Sequence, residues 1–258
     1  MDTPELIHAI ATETEPDFSD GGAWNDVYSS LFHQGTMYTA TYAAFPHIVS
    51  ATITGTVNQR TALLCLAGSL RVHGYTDDEI PQDLIPDYEN GMTIVRSASH
   101  NIVQTSWGTA DIYTRAELLE AFGGLRHPQC PYVVQLGHMA REMWRVESNC
   151  PHCDQTAIVD MYSDGLKATQ HDNRGGLVES TATNNPVDRS NYNAELQASQ
   201  SAATHDPWPE DQNARVLAGL AHALGDRTLA DKILDLGTRI ECPYCHDYFL
   251  VANGLSAL

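Results

Sequence analysis

The chain has 258 residues and carries 33 Asp plus Glu against 14 Lys plus Arg, a formal net charge of −19. That length gives one large domain or two small ones, with ample chain for a core, and the charge excludes nucleic acid as a partner, because phosphate binding needs a basic surface. No run of eighteen apolar residues is present, so no membrane-spanning helix is expected, and the acidic, polar start lacks the pattern of a signal peptide.

The charge is concentrated early. Through residue 89 there are thirteen acids against two bases, which places −11 of the total in the first third. Solubility alone accounts for an acidic surface. The sharper reading is a basic protein partner drawn in by long-range attraction.

The first 125 residues read as a succession of helices. Leu6, Ile7 and Ile10 form a short amphipathic face. Asp20 precedes a helix whose stripe runs through Trp24, Val27, Tyr28, Leu31 and Phe32, with Gly35 placed to close it. A helix from Tyr38 to Ser50 buries Tyr42, Phe45, Ile48 and Val49 and contains Pro46, which should kink or restart it. Leu63, Leu64, Ala67 and Leu70 mark another helix ending near Gly74, with Cys65 expected as a small core residue. After Pro81 a long element carries Leu84, Tyr88, Met92, Val95, Ile102 and Val103 on one side. Thr114 to Phe122 forms one more, closed by Gly123-Gly124. Sequential helices with short connections imply an α-helical stack over residues 1–140.

The remainder, 141–258, differs in kind. Cys150-Pro151-His152-Cys153 and Cys242-Pro243-Tyr244-Cys245 are two Cys-x-x-Cys pairs. Strand-like residues flank both: Met143 to Val146 and Ala157 to Val159 around the first, Thr238 to Ile240 and Tyr248 to Val251 around the second. A strand, a Cys-Pro-x-Cys knuckle and a strand make half of a zinc ribbon, and two halves supply four thiolates for one tetrahedral Zn2+ per chain. Eighty-eight residues separate Cys153 from Cys242, against about 15–20 in an ordinary ribbon, so the ribbon is split. His152, His246 and Asp154 are spare donors that four thiolates do not need.

A thioredoxin-like redox pair is the rival reading. It needs a Cys at a helix N-terminus, whereas a strand-like segment follows Cys153. Thirteen residues follow Cys245, a stretch shorter than that fold requires. Cys130 reads as a loop thiol. Residues 164–206 are rich in Ser, Thr, Asn, Gln and Asp and are expected to be a long loop or disordered. Two helices follow, Asp211 to Leu224 and Thr228 to Leu236, with Leu217, Leu220, Leu229 and Ile233 buried. The cysteines and the missing export signal suggest a cytoplasmic protein.

The stretch from Leu31 through His33-Gln34-Gly35-Thr36-Met37-Tyr38 to Pro46 and Val49 resembles a group of bacterial HEAT-repeat-like proteins that share an HQGTxYxAxxAAxP run after a Trp-containing helix, here Trp24. Some of these resemble immunity proteins of polymorphic toxins. The resemblance covers about a quarter of the chain, and the polar insert and the knuckle at Cys150 lie outside it. It implies a HEAT-like stack, which together with the cysteine pairs gives a mainly α fold with a small split β zinc ribbon near the C-terminus. It also implies a non-enzymatic binding protein that neutralises a basic toxin, such as a nuclease, through an acidic surface. Asp77, Asp78, Glu79, Asp83, Asp87 and Glu89 are the expected partner-binding face.

Two alternatives stand beside this reading: a general helical scaffold for a cellular partner, and an enzyme with a site around His33, Gln34 and Tyr38. The expected role of His33 is to cap a helix C-terminus, and His47 is read as structural in the same way. No HExxH, GxSxG, GxGxxG or GxxxxGK[ST] motif is present.

Overall fold

The computed structural model describes residues 3–33, 36–72, 74, 80–126, 145–162, 165–170, 179–180, 213–235 and 239–251. The described chain is mainly helical, with small antiparallel sheets. It divides into two compact units, Met1–Ala110 with Ala121–Pro128, and Asp111–Glu120 with Gln129–Leu258. The boundary expected near residue 140 lies outside the described residues.

The first unit is built from helices α1 (Thr3–Thr12), α2 (Ala23–Leu31), α3 (Thr39–Thr52), α4 (Val57–Val72) and α5 (Ile85–Ser106), with the last turn of α6 (Ile112–Gly124). The core positions follow the helical spacing. Ile10, Trp24, Phe45, Ile48, Leu63, Leu64, Leu70, Val95, Ile102 and Phe122 are fully buried, each worth roughly 1.5–3 kcal/mol of apolar burial. Cys65 is only half-buried, at the edge of this core.

Local signals fix several helix ends. Thr56 and Gln59 form a capping box at the start of α4: Thr56 N–H donates to Gln59 Oε1 at 2.8 Å, and Gln59 N–H donates to Thr56 Oγ1 at 3.2 Å. The same Gln59 amide donates to the carbonyls of Ile10 and Ala11, at 3.0 and 3.2 Å. One buried side chain thus satisfies the end of α1 and the beginning of α4. Asp111 caps α6 by accepting from Thr114 N–H at 2.8 Å, and that bond holds its carboxyl below the usual range.

The end of the second helix needs correction. The second helix starts after Gly22, with no side-chain cap from Asp20, and it stops at Leu31. Phe32–His33 form a strand, β1, paired antiparallel with β2 (Thr36–Met37), in register Phe32↔Met37 and His33↔Thr36. His33 thus sits in a strand two residues past the end of the helix. The Leu31 carbonyl is taken instead by the Thr41 hydroxyl at 2.6 Å and by Tyr38 N–H at 3.3 Å. Gly35 lies outside the described residues. Helix α3 spans Thr39 to Thr52 with Pro46 inside it, so the proline does not restart the helix. Gly123 and Gly124 are buried and form the last residues of α6, which ends at Gly124 as expected.

The second unit contains a four-stranded antiparallel sheet in the order β3 (Arg145–Asn149), β4 (Thr156–Tyr162), β5 (Gly165–Gln170), β6 (Glu179–Ser180). A separate hairpin pairs β7 (Arg239–Glu241) with β8 (Tyr248–Leu250). Strands β5 and β6 fall inside the span expected to be loop. There the ladder to β4, from Ala157↔Gln170 to Tyr162↔Gly165, organises a segment whose side chains alone gave no strand signal. The other residues of 171–212 lie outside the described chain.

Helices α7 (Asn213–Ala223) and α8 (Arg227–Asp235) pack on each other through Val216, Leu217, Leu220, Leu229 and Ile233. Gly225, at φ +88°, closes α7. Its N–H donates to the His222 carbonyl at 2.9 Å, and Asp226 N–H donates to the Ala221 carbonyl at 2.9 Å, a Schellman cap. Asp226 then starts α8, accepting from Leu229 N–H at 3.0 Å, and pairs with Arg115 at 2.9 Å.

Gly68 in α4 sits against Ala121 in α6. A Cβ there would lie 2.4 Å from both the Cα and the Cβ of Ala121. In an exposed helix Gly→Ala gains about 1 kcal/mol. Here Gly68→Ala should instead cost roughly 1–3 kcal/mol by overpacking. A urea-unfolding midpoint that rises in the variant would refute the close helix contact.

Candidate metal centre

The site grows from two hairpin turns of the second unit. In the first, Asn149 pairs with Thr156, so Cys150 to Gln155 form the turn between β3 and β4. In the second, Glu241 pairs with Tyr248, so Cys242 to Asp247 form the turn between β7 and β8. The two turns share their backbone bonds position by position. Cys150 N–H donates to the Gln155 carbonyl at 2.9 Å and Cys242 N–H to the Asp247 carbonyl at 2.8 Å. Asp154 N–H donates to the Cys150 carbonyl at 2.8 Å and His246 N–H to the Cys242 carbonyl at 3.0 Å. The fourth residue after the leading Cys is left-handed in both, Asp154 at φ 57° and His246 at φ 64°. Even the flanking pairs correspond. The Thr156 hydroxyl donates to Asn149 Oδ1 at 2.7 Å, and the Tyr248 hydroxyl donates to Glu241 Oε2 at 3.5 Å.

These turns bring Cys150, Cys153, Cys242 and Cys245 together, with all four sulfurs within 4.8 Å of one another. Cys150 Sγ is 3.7 Å from Cys245 Sγ, and Cys153 Sγ is 3.7 Å from Cys242 Sγ. A tetrahedral ion with metal–sulfur bonds near 2.3 Å requires sulfur–sulfur edges of about 3.8 Å. Donor set and spacing therefore fit a closed four-thiolate metal site. Cys150 and Cys242 are buried, while Cys153 and Cys245 are half-buried.

The electrostatics differ from those of a redox dithiol. Neither pair lies at a helix N-terminus. Burial pushes the thiols of Cys153 and Cys242 up. Burial also acts on Cys150, but there hydrogen bonds from the His152 and Cys153 amides outweigh it and bring the thiol down. At Cys245 the Asp247 amide bond lowers the thiol, but burial and contacts with Cys242 and Cys150 outweigh that bond and leave it raised. Three raised thiols make a slow nucleophile, unlike the activated dithiol of an oxidoreductase. A bound cation would reverse this balance, because it stabilises thiolate directly.

The spare donors stay out of the cluster. His152 is exposed, and Asp154 takes the left-handed turn position. His246 is exposed, with Nδ1 2.9 Å from Glu241 Oε1. One supporting contact had no signal in the sequence. The buried Ser148 hydroxyl donates to the Val251 carbonyl at 2.8 Å, tying β3 to the end of β8 beside the metal centre.

The other candidate residues are scattered. Asp83, Asp87 and Glu89 are exposed, at and before the first turns of α5. Glu89 is paired with Arg71, whose guanidinium carbon lies 5.9 Å from the Tyr88 ring centroid. Burial keeps the Tyr88 hydroxyl well above its ordinary value. Asp77, Asp78 and Glu79 lie outside the described residues, as do Gln34, Cys130 and the side chain of His33. Tyr38 is 40% exposed and His47 is exposed. Among the described residues, no helix is long and apolar enough to cross a membrane.

No family model matches this chain, and no curated protein or solved structure matches it either.

The left-handed residues give a direct check on the knuckle geometry. Val in place of Asp154 or His246 should cost roughly 1–2 kcal/mol, the penalty for an L-residue in that conformation, whereas Gly at either position should be tolerated. Equal urea midpoints for the Val and Gly variants would contradict the turn assignment.

Proposed function

We propose that the chain is a non-enzymatic binding protein whose acidic helical unit takes a basic protein partner, and that the four-cysteine centre holds a structural Zn2+. The observation that carries the metal reading is the sulfur geometry: two edges of 3.7 Å in a four-thiolate set. Zinc is the ion for which four thiolates form a closed structural site, with no position left to activate water. It would be held by Cys150, Cys153, Cys242 and Cys245, and its chemistry there is mechanical. It joins β3–β4 to β7–β8 and encloses the polar excursion between them.

The partner reading rests on charge. The sequence of the first unit carries thirteen carboxylates against four arginines, and Arg71 is already paired with Glu89. Asp83 and Asp87 are exposed to solvent ahead of and within the first turn of α5. Such a face steers a basic surface in and repels nucleic acid. Together with the resemblance at His33 to Pro46, this supports a HEAT-like stack acting in the cytoplasm as an immunity protein. Its carboxylates would stand in for phosphates at the active site of a basic toxin, such as a nuclease.

Two measurements test these readings separately. Native mass spectrometry of the purified chain should show one zinc per chain, removed by a strong chelator with loss of the β-sheet signal. Binding of order 10–16 kcal/mol is typical of structural zinc in small fingers, so Cys150→Ser should lower stability severely. A folded, metal-free protein would refute the site.

For the partner, co-expression with a toxin domain encoded beside this gene should restore growth. The double variant Asp83→Lys and Asp87→Lys should weaken binding at least tenfold at low salt and much less at high salt. Unchanged low-salt affinity would remove the proposed face, and an adjacent gene encoding no toxin would remove the immunity role.

A further inference from the structure

The four-cysteine cluster holds its sulfurs within 4.8 Å of one another. Two contacts of 3.7 Å, Cys150 to Cys245 and Cys153 to Cys242, cross from one hairpin to the other, while the sulfurs within each Cys-x-x-Cys pair also touch. Each joins one buried sulfur to one half-exposed sulfur. We propose that this is an oxidation site at which a peroxide converts the cluster into two disulfides joining the hairpins, Cys150 to Cys245 and Cys153 to Cys242, and expels the metal. The inference rests on the zinc reading only for what is expelled.

The chemistry begins at the accessible sulfur. The Cys245 thiolate attacks one peroxide oxygen, forming a sulfur–oxygen bond and breaking the oxygen–oxygen bond, with hydroxide as leaving group. The Cys150 thiolate then attacks the resulting sulfenic sulfur, forming the disulfide and releasing a second hydroxide. The sulfur pair has lost two electrons and the peroxide has gained them; the two hydroxides take protons from solvent and become water. A second peroxide does the same at Cys153 and Cys242. The first disulfide already removes two of four ligands, and a two-thiolate remnant cannot hold a closed structural ion.

The cross-hairpin pairing follows from what each bond would disturb. A disulfide within one Cys-x-x-Cys must form inside a turn fixed by two backbone bonds, those of Cys150 and Asp154 or those of Cys242 and His246. A bond between hairpins needs only the sulfurs to close from 3.7 Å to about 2.05 Å, with the side-chain dihedral settling near its usual value. Oxidation in this pairing expels the ion and leaves the two hairpins joined.

The test uses the full-length, zinc-loaded chain. Hydrogen peroxide is added in steps while a chromogenic chelator follows free zinc. Remaining thiols, including Cys65 and Cys130, are alkylated, and the unreduced protein is digested with trypsin. Cleavage after Arg145, Lys167 and Arg239 leaves Cys150 with Cys153 on one peptide and Cys242 with Cys245 on another. The expected result is zinc release in step with the first disulfide, and one covalently joined pair of peptides that separates on reduction. Two separate peptides, each with its own internal disulfide, would overturn the proposal. So would full zinc retention at peroxide levels that oxidise a control thiol. A chain that takes up no zinc sinks the metal reading alone. The joined peptides are still expected of that metal-free chain, so the two failures are distinguishable.

Discussion

Four sulfur atoms that must occupy one small volume are the constraint on which the second unit depends. Cys150 and Cys245 are 95 positions apart in the chain and 3.7 Å apart in space. In the chain-entropy description, a cross-link closing a loop of this size removes roughly 4–5 kcal/mol of disorder from the unfolded state. Each hairpin taken singly is short. Strands β7 and β8 are three residues each, and an isolated two-stranded hairpin is marginal in water. The Ser148 hydroxyl bond to Val251 attaches them to β3–β4, and a metal ion held by the four cysteines would add a second attachment.

The helical unit is secured differently, by side-chain shape and by economical use of polar groups. Gln59 shows the economy: one amide satisfies carbonyls of α1 while its oxygen caps α4. The buried Thr41 hydroxyl does comparable work at the end of α2. Orphan groups at helix termini are costly when buried, and in this unit single side chains serve two elements. Charge is then free to accumulate outside, because the core does not depend on it.

How much of this was legible depended on the range of the forces involved. The knuckles were readable because ligand type and spacing are local and nearly sufficient. The buried stripes at Phe45, Ile48, Leu63 and Leu70 were readable because helical period is local too. The end of α2 was not. Phe32 continues the stripe in perfect period, and the group that takes up the Leu31 carbonyl at the helix end is Thr41, ten residues later. Strands β5 and β6 were hidden for a related reason, since β5 is held by its ladder to β4 and β6 by its ladder to β5. The capping box at Thr56 and Gln59 could have been found from its Thr-x-x-Gln spacing. The contact between Ser148 and Val251 could not, as nothing local marks either residue.

The chain does not finish one compact unit before starting the other. It leaves the first after Ala110, contributes 111–120 to the second, and returns for 121–128. Helix α6 is the element so divided, and its last turn supplies Phe122 to the core and Ala121 to the contact with Gly68. During synthesis, therefore, the amino-terminal unit stays incomplete until α6 has emerged from the ribosome. No single cut separates the halves cleanly either. A fragment ending at Ala110 lacks part of its own interior, and one beginning at Ala121 loses the helix start that holds Arg115 against Asp226. The two units are distinct in architecture yet inseparable as pieces of a linear polymer.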